Sequence, residues 1–188
     1  KGRGKNNAIT NHAISLKVKK IDPLKFNIID IGAGYGESTL AISKTNISNQ
    51  VIACEKFIDG INKIAEKSFS YSLNNISIFH GNVHQLLDEY CPNNSISELW
   101  ILFPDPWPKK RHFKRRLINV DFFYKLKFFL KKNAKIHIAS DSKSYVSDIL
   151  LSIHQIKKDF QWVNQNKDQW DYINVTLPQT KYFQKALK

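Results

Sequence analysis

The 188-residue chain carries 42% hydrophobic and 12% aromatic residues, enough to bury one substantial core, which sets aside a disordered chain. Its 29 Lys and Arg against 16 Asp and Glu leave a net charge of +13 and point to an anionic partner. No apolar run approaches the roughly 18 residues that a membrane span needs, and the basic start "KGRGKNNAIT" has no hydrophobic run behind it to make a secretory signal. Cys54 and Cys91 form no CxxC pair, so a reduced, cytoplasmic protein without membrane attachment is expected. The chain contains no Met, so its native start is expected to lie elsewhere than at Lys1.

Five apolar, β-rich runs recur along the chain: FNIIDI (26–31), VIACE (51–55), ISIFH (76–80), ELWILF (98–103) and AKIHIAS (134–140). Amphipathic segments separate them. The clearest begins at Tyr145, where Val146, Ile149, Leu150, Ile153 and Ile156 recur at helical spacing. Near-continuous apolar strands alternating with helices predict a doubly wound α/β fold, a mostly parallel Rossmann-like sheet with helices on both faces. After Phe160 the alternation stops, and the tail is expected to form a strand, a polar loop and a short closing segment. One domain is expected over 1–188, with a basic N-terminal segment to about residue 25 and the core from about 26 onward.

In such a sheet, ligands bind beyond the carboxyl ends of the strands. Strand one runs into "IIDIGAGYGEST", where Asp30 closes the strand and Gly32, Gly34 and Gly36 form a turn that lets a ligand approach the backbone. Strand two ends at Glu55, about 20 residues past the loop, the spacing of an acid that accepts hydrogen bonds from ribose hydroxyls. GxGxG in place of GxGxxG favours S-adenosylmethionine over NAD, because no pyrophosphate needs the helix N-terminus. After strand three, Asn82 offers a donor and an acceptor to an adenine edge, and serves equally well as a turn residue. His80 and His84 share no helix face, so no metal site is expected.

Strand four delivers Pro104-Asp105-Pro106-Trp107-Pro108, a turn stiffened by its prolines. An ionised Asp105 could accept from N1–H and N2–H of a guanine, or contact the amine of a methyl donor; these readings stay open. Trp107 suits stacking on a base, and suits equally well a hydrophobic plug beneath the loop. Lys109, Lys110, Arg111, Lys114, Arg115 and Arg116 follow at once, a density that repels itself unless an anion such as a nucleic-acid backbone lies among it.

With GAGYG, Glu55, FPDPWPKKRHFKRR, IASDSKSY and TKYFQKAL together, the chain from about residue 26 resembles the tRNA (guanine-N7-)-methyltransferases, a family of class I methyltransferases. The PDPW string with its basic tail is the most specific of these motifs. The resemblance implies methyl transfer from S-adenosylmethionine to N7 of a guanosine in the tRNA variable loop, by a monomer or homodimer without a metal. It implies that Asp30, Gly32, Gly34, Glu55, Asn82 and Asp105 surround the cofactor, with Asp105 central to catalysis. Lys109, Asp141, Thr180, Lys181 and Tyr182 would then meet the substrate, while Arg111, Lys114, Arg115 and Arg116 would hold RNA phosphates. The sequence departs from the family pattern at Asn82, where Asp is usual, and at Phe183, where Glu is usual. Competing readings are another base or amide N-methyltransferase, and a non-catalytic RNA-binding module on a Rossmann-like scaffold.

Overall fold

A computed structural model of the chain describes residues 12–164, 166, 169, 178 and 180–186. Strand β1 (Asn27–Ile31) is buried at all five positions, with Ile28 and Asp30 facing one side and Ile29 and Ile31 the other. That is the condition of a central parallel strand covered on both faces, and it explains why the run is apolar without alternation. β2 (Gln50–Glu55) and β4 (Ile96–Leu102) flank it in parallel, β3 (Ile76–His80) pairs with β2, and β5 (Leu130–Ala139) completes the order β3-β2-β1-β4-β5. The order reverses at β1, which makes the carboxyl end of β1 the topological switch point of the sheet. Register places Ile31 beside Cys54 and Glu55 beside His80, so the first three strands end together.

Helices among the described residues include α1 (Glu37–Thr45), α2 (Ile58–Ser70), α3 (Val83–Tyr90), α4 (Val120–Phe129), α5 (Lys143–Gln155) and α6 (Lys181–Ala186), with a 3₁₀ helix over Lys110–Arg115. In α5 the buried positions are Tyr145, Ile149 and Ser152, continued by Ile156 just past its end, the single stripe that an amphipathic helix turns to a core. At the start of β1, the buried Asn27 amide donates to the carbonyls of Asp22, Lys25 and Ser95, fixing where the chain enters the sheet.

All five expected strands form, though β4 begins at Ile96 and β5 at Leu130, earlier than their apolar runs. One expectation is corrected: Phe160–Asn164 carries no strand. Leu16 and Val18 are buried, and Lys17 forms a parallel bridge to Ile78 on β3 through Val18 N–H to Ile78 O (3.0 Å) and Ile78 N–H to Leu16 O (2.7 Å). Most of the polar loop expected after Asn164 lies outside the described residues.

The described residues fall into two compact units. One is the chain up to Ile101 together with Phe129–His137; the other is Leu102–Phe128 together with the chain from Ile138 onward. No helix among the described residues is long and apolar enough to cross a membrane.

Candidate functional site

The first unit holds the glycine loop and the acidic strand ends. Gly32 and Gly36 have φ of 71° and 79°, the left-handed region that a side chain disfavours. A Cβ built on Gly32 meets nothing within 4 Å, so open space lies beside that backbone; one on Gly36 would lie 2.6 Å from Ile64 Cγ1 of α2. One glycine keeps room for a ligand and the other lets the helix close.

Glu55 is nearly buried, and its carboxylate organises this loop: Oε2 accepts from Gly34 N–H (2.8 Å) and Oε1 from Phe57 N–H (2.8 Å), just before α2. Asp30 is 1% exposed, and its Oδ2 accepts from the hydroxyls of Ser38 and Thr39, each at 2.6 Å, in the first turn of α1. Burial raises the Asp30 pKa above its ordinary 3.8, the two hydroxyls pull it back, and the Glu55 charge raises it further. Asn82 caps α3, its oxygen accepting from Gln85 N–H (3.0 Å) and its amide donating to Gln85 Oε1 (3.0 Å), so the turn role is realised.

Gly60, which sequence reasoning passed over, interlocks these parts. A Cβ there would lie 2.4 Å from Gly34 O and 2.9 Å from Glu55 Cγ, so α2 packs against the glycine loop with no room for a methyl group. A glycine inside a helical pattern is costly unless something needs the space, and that was the available signal.

Nearby thiols offer no nucleophile. Burial pushes Cys54 and Cys91 up to about 12, and the charges of Glu55 and Asp30 add to the effect at Cys54. Among the described residues no group of three or more His, Cys, Asp or Glu could hold a metal ion.

The second unit holds the proline turn and the basic cluster. Asp105 is exposed, between Phe103 (φ 52°) and Trp107 (φ 44°), two non-glycine residues in left-handed backbone. Trp107 is half-buried, with the Arg115 guanidinium 4.8 Å from its ring centroid and the His112 ring edge-on at 5.8 Å. Lys109, Lys110, Arg111 and Lys114 are exposed on or beside the 3₁₀ helix, and Arg111 Nε donates to His112 Nε2 (3.3 Å). Asp141 is exposed in the loop after β5.

Arg116, expected as a phosphate ligand, is set apart from these cations by its burial. It is 3% exposed, and its guanidinium donates to Pro106 O (2.8 Å), Ser144 O (3.1 Å), Ser144 Oγ (2.8 Å) and Asp148 Oδ2 (2.5 Å). It also lies against the Phe113 and Tyr145 rings. Tyr145 is fully buried; its hydroxyl oxygen accepts from Ile118 N–H (2.9 Å), and burial pushes its pKa up against the pull of that bond and of the Arg116 charge. Thr180, expected to meet the substrate, is buried, and its Oγ1 accepts from Phe183 N–H (3.1 Å), capping α6. Phe183 is a core residue, while Lys181 and Tyr182 are exposed.

Residues 25–188 match a family model described as "Putative methyltransferase". A tRNA (guanine-N(7)-)-methyltransferase of Hyphomonas neptunium is 32% identical over 85% of this chain and 72% of its own length. One of Nitrosomonas europaea is 34% identical over 86% of this chain and 70% of its own. A bifunctional methyltransferase of Rickettsia felis is 31% identical over 92% of this chain, which spans 32% of that protein. Among solved structures, a SAM dependent methyltransferase from Aquifex aeolicus superposes with a TM-score of 0.55 at 17% identity, covering 85% of this chain and 89% of that one, a likeness of fold. The chain belongs to the tRNA (guanine-N(7)-)-methyltransferase family.

Proposed function

We propose that the protein transfers a methyl group from S-adenosylmethionine to N7 of a guanosine in the tRNA variable loop, forming 7-methylguanosine. The observation that carries this reading is the pair of loops. A glycine loop organised by a buried acid opens onto free space, and a proline turn presents an exposed carboxylate ahead of a cluster of exposed cations. The names of the relatives support the choice of acceptor.

The first unit fits a nucleoside methyl donor. Open space beside Gly32 admits a ligand to the backbone, and the Glu55 carboxylate, with one lone pair on each oxygen engaged, retains acceptor capacity for ribose hydroxyls. Asp30 supports this arrangement from beneath by holding the first turn of α1, while Asn82 fixes the start of α3. When bound, S-adenosylmethionine supplies the electrophilic methyl group.

Guanine N7 carries an in-plane lone pair, so the protein needs no general base to make it a nucleophile. The work left to the chain is positioning and charge stabilisation. Asp105 orients the base through its N–H edge and stabilises the positive charge that develops on the purine, and Trp107 offers a face for stacking. Lys109, Arg111, Lys114 and Arg115 hold phosphates, with Asp141, Lys181 and Tyr182 as further substrate contacts.

The test is transfer of radiolabelled methyl from S-adenosylmethionine to unmodified tRNA, followed by nucleoside analysis. Label is expected in 7-methylguanosine, and Asp105→Asn should lower kcat on the order of 10²-fold to 10³-fold. Label in N6-methyladenosine, or RNA binding with no transfer, would overturn the reading.

A further inference from the structure

We propose that Arg116 is a positioning residue for Asp105: by donating to the Pro106 carbonyl, its buried guanidinium fixes the turn that carries Asp105 and Trp107. Pro104, Pro106 and Pro108 have no N–H, so the turn offers its surroundings carbonyl acceptors in place of the usual backbone donors. The Arg116 Nε–H takes one of these, Pro106 O at 2.8 Å, which lies between the carboxylate and the indole.

The remaining guanidinium bonds run to α5, to Ser144 O, Ser144 Oγ and Asp148 Oδ2. Four of the five N–H groups are thereby engaged, leaving no fork for a phosphate. Left-handed backbone at Phe103 and Trp107 persists only where neighbouring structure over-determines it, and Arg116 supplies that constraint from a rigid helix. The consequence for catalysis rests on the methyl-transfer reading; the clamp itself does not.

The experiment is Arg116→Lys, which keeps the charge but cannot donate from one planar fork to Pro106 and α5 together. Three quantities are read: kcat with tRNA, the slope of log Kd for tRNA against log salt, and the rate of trypsin nicking between Lys109 and Arg115, located by mass spectrometry. The expected result is a fall in kcat on the order of tenfold and faster nicking, with the salt slope unchanged. Lys114→Ala, by contrast, should lower that slope by about 0.7 to 0.9. A phosphate role for Arg116 predicts instead that Arg116→Gln, which removes the charge, loses about 0.7 to 0.9 of slope with kcat held, and that outcome overturns the proposal.

Unchanged kcat together with unchanged nicking also overturns it. Should Arg116→Lys fail to fold, Asp148→Asn loosens the same clamp from its half-exposed end. A smaller loss of kcat with faster nicking supports the clamp, and no change in either sinks it. If the wild-type protein transfers no methyl to tRNA, the proposed function falls while nicking alone still decides the clamp.

Discussion

The two units secure their loops with charges of opposite sign. Among the described residues, the buried charged groups of the first are carboxylates, and Glu55 receives Gly34 N–H. Among those of the second, the buried charged group is a guanidinium, which donates to Pro106 O, while the carboxylate of Asp105 is exposed. The composition of each loop accounts for the difference. A glycine loop exposes N–H donors and is held by an acceptor, whereas this proline turn has lost three of its five donors and is held through a carbonyl. Residue types at a loop therefore predict the sign of the side chain that fixes it.

The largest effect should come from removing the acceptor. Glu55→Ala removes the acceptor from the part-buried Gly34 N–H and Phe57 N–H, a loss of about 0.5 to 1.5 kcal/mol for each bond, and should weaken S-adenosylmethionine binding by at least about tenfold in calorimetry. Unchanged cofactor affinity would break the claim that the acid organises the loop. Next comes Gly60→Ala, whose methyl would press on Gly34 O and Glu55 Cγ. Overpacking of about 1 to 3 kcal/mol should lower Tm and cofactor affinity while leaving the salt slope of tRNA binding alone. If this variant binds the cofactor like wild type, the interlock is not what shapes the loop.

The smallest effect concerns Asp30, whose charge faces hydroxyls where Arg116 has a carboxylate partner. Its pKa is raised in the folded state, so the native protein holds that proton more tightly than the unfolded chain. The stability contributed by protonation is complete below the ordinary value of 3.8 and is lost as pH rises through the raised value. Asp30→Asn removes this titration, so the wild-type protein should lose stability relative to the variant across that window. Thermal melts between about pH 4 and pH 8 would show it, and parallel curves would contradict it.

The strands were legible because burial on both faces writes a continuous apolar run, as in β1. β5 was legible only in part. Its first residues include Lys131, Lys132 and Asn133, which lie half-buried to exposed and carry no hydrophobic signature, so the visible run starts at Ala134. The glycine loop and acidic strand ends were readable from local spacing, because sequence neighbours also adjoin in space there. Arg116 was not. It has the same residue type as Arg115 next to it, and what separates them is a pocket formed by Ser144 and Asp148 on a helix much further along the chain. Thr180 was likewise hidden, since a hydroxyl that caps a helix and one that meets substrate look alike until the helix is seen.

The bridge at Lys17 has a consequence for the protein's colloidal behaviour. An outer β-strand presents a row of unpaired N–H and C=O groups on which a second molecule can add a strand, the first step of edge-to-edge aggregation. Leu16 and Val18 occupy the middle of that row on β3, at Ile78, and leave the exposed Lys17 where an incoming strand would have to lie. A stretch of three residues thus occupies the backbone groups of Ile78 that an added strand would need.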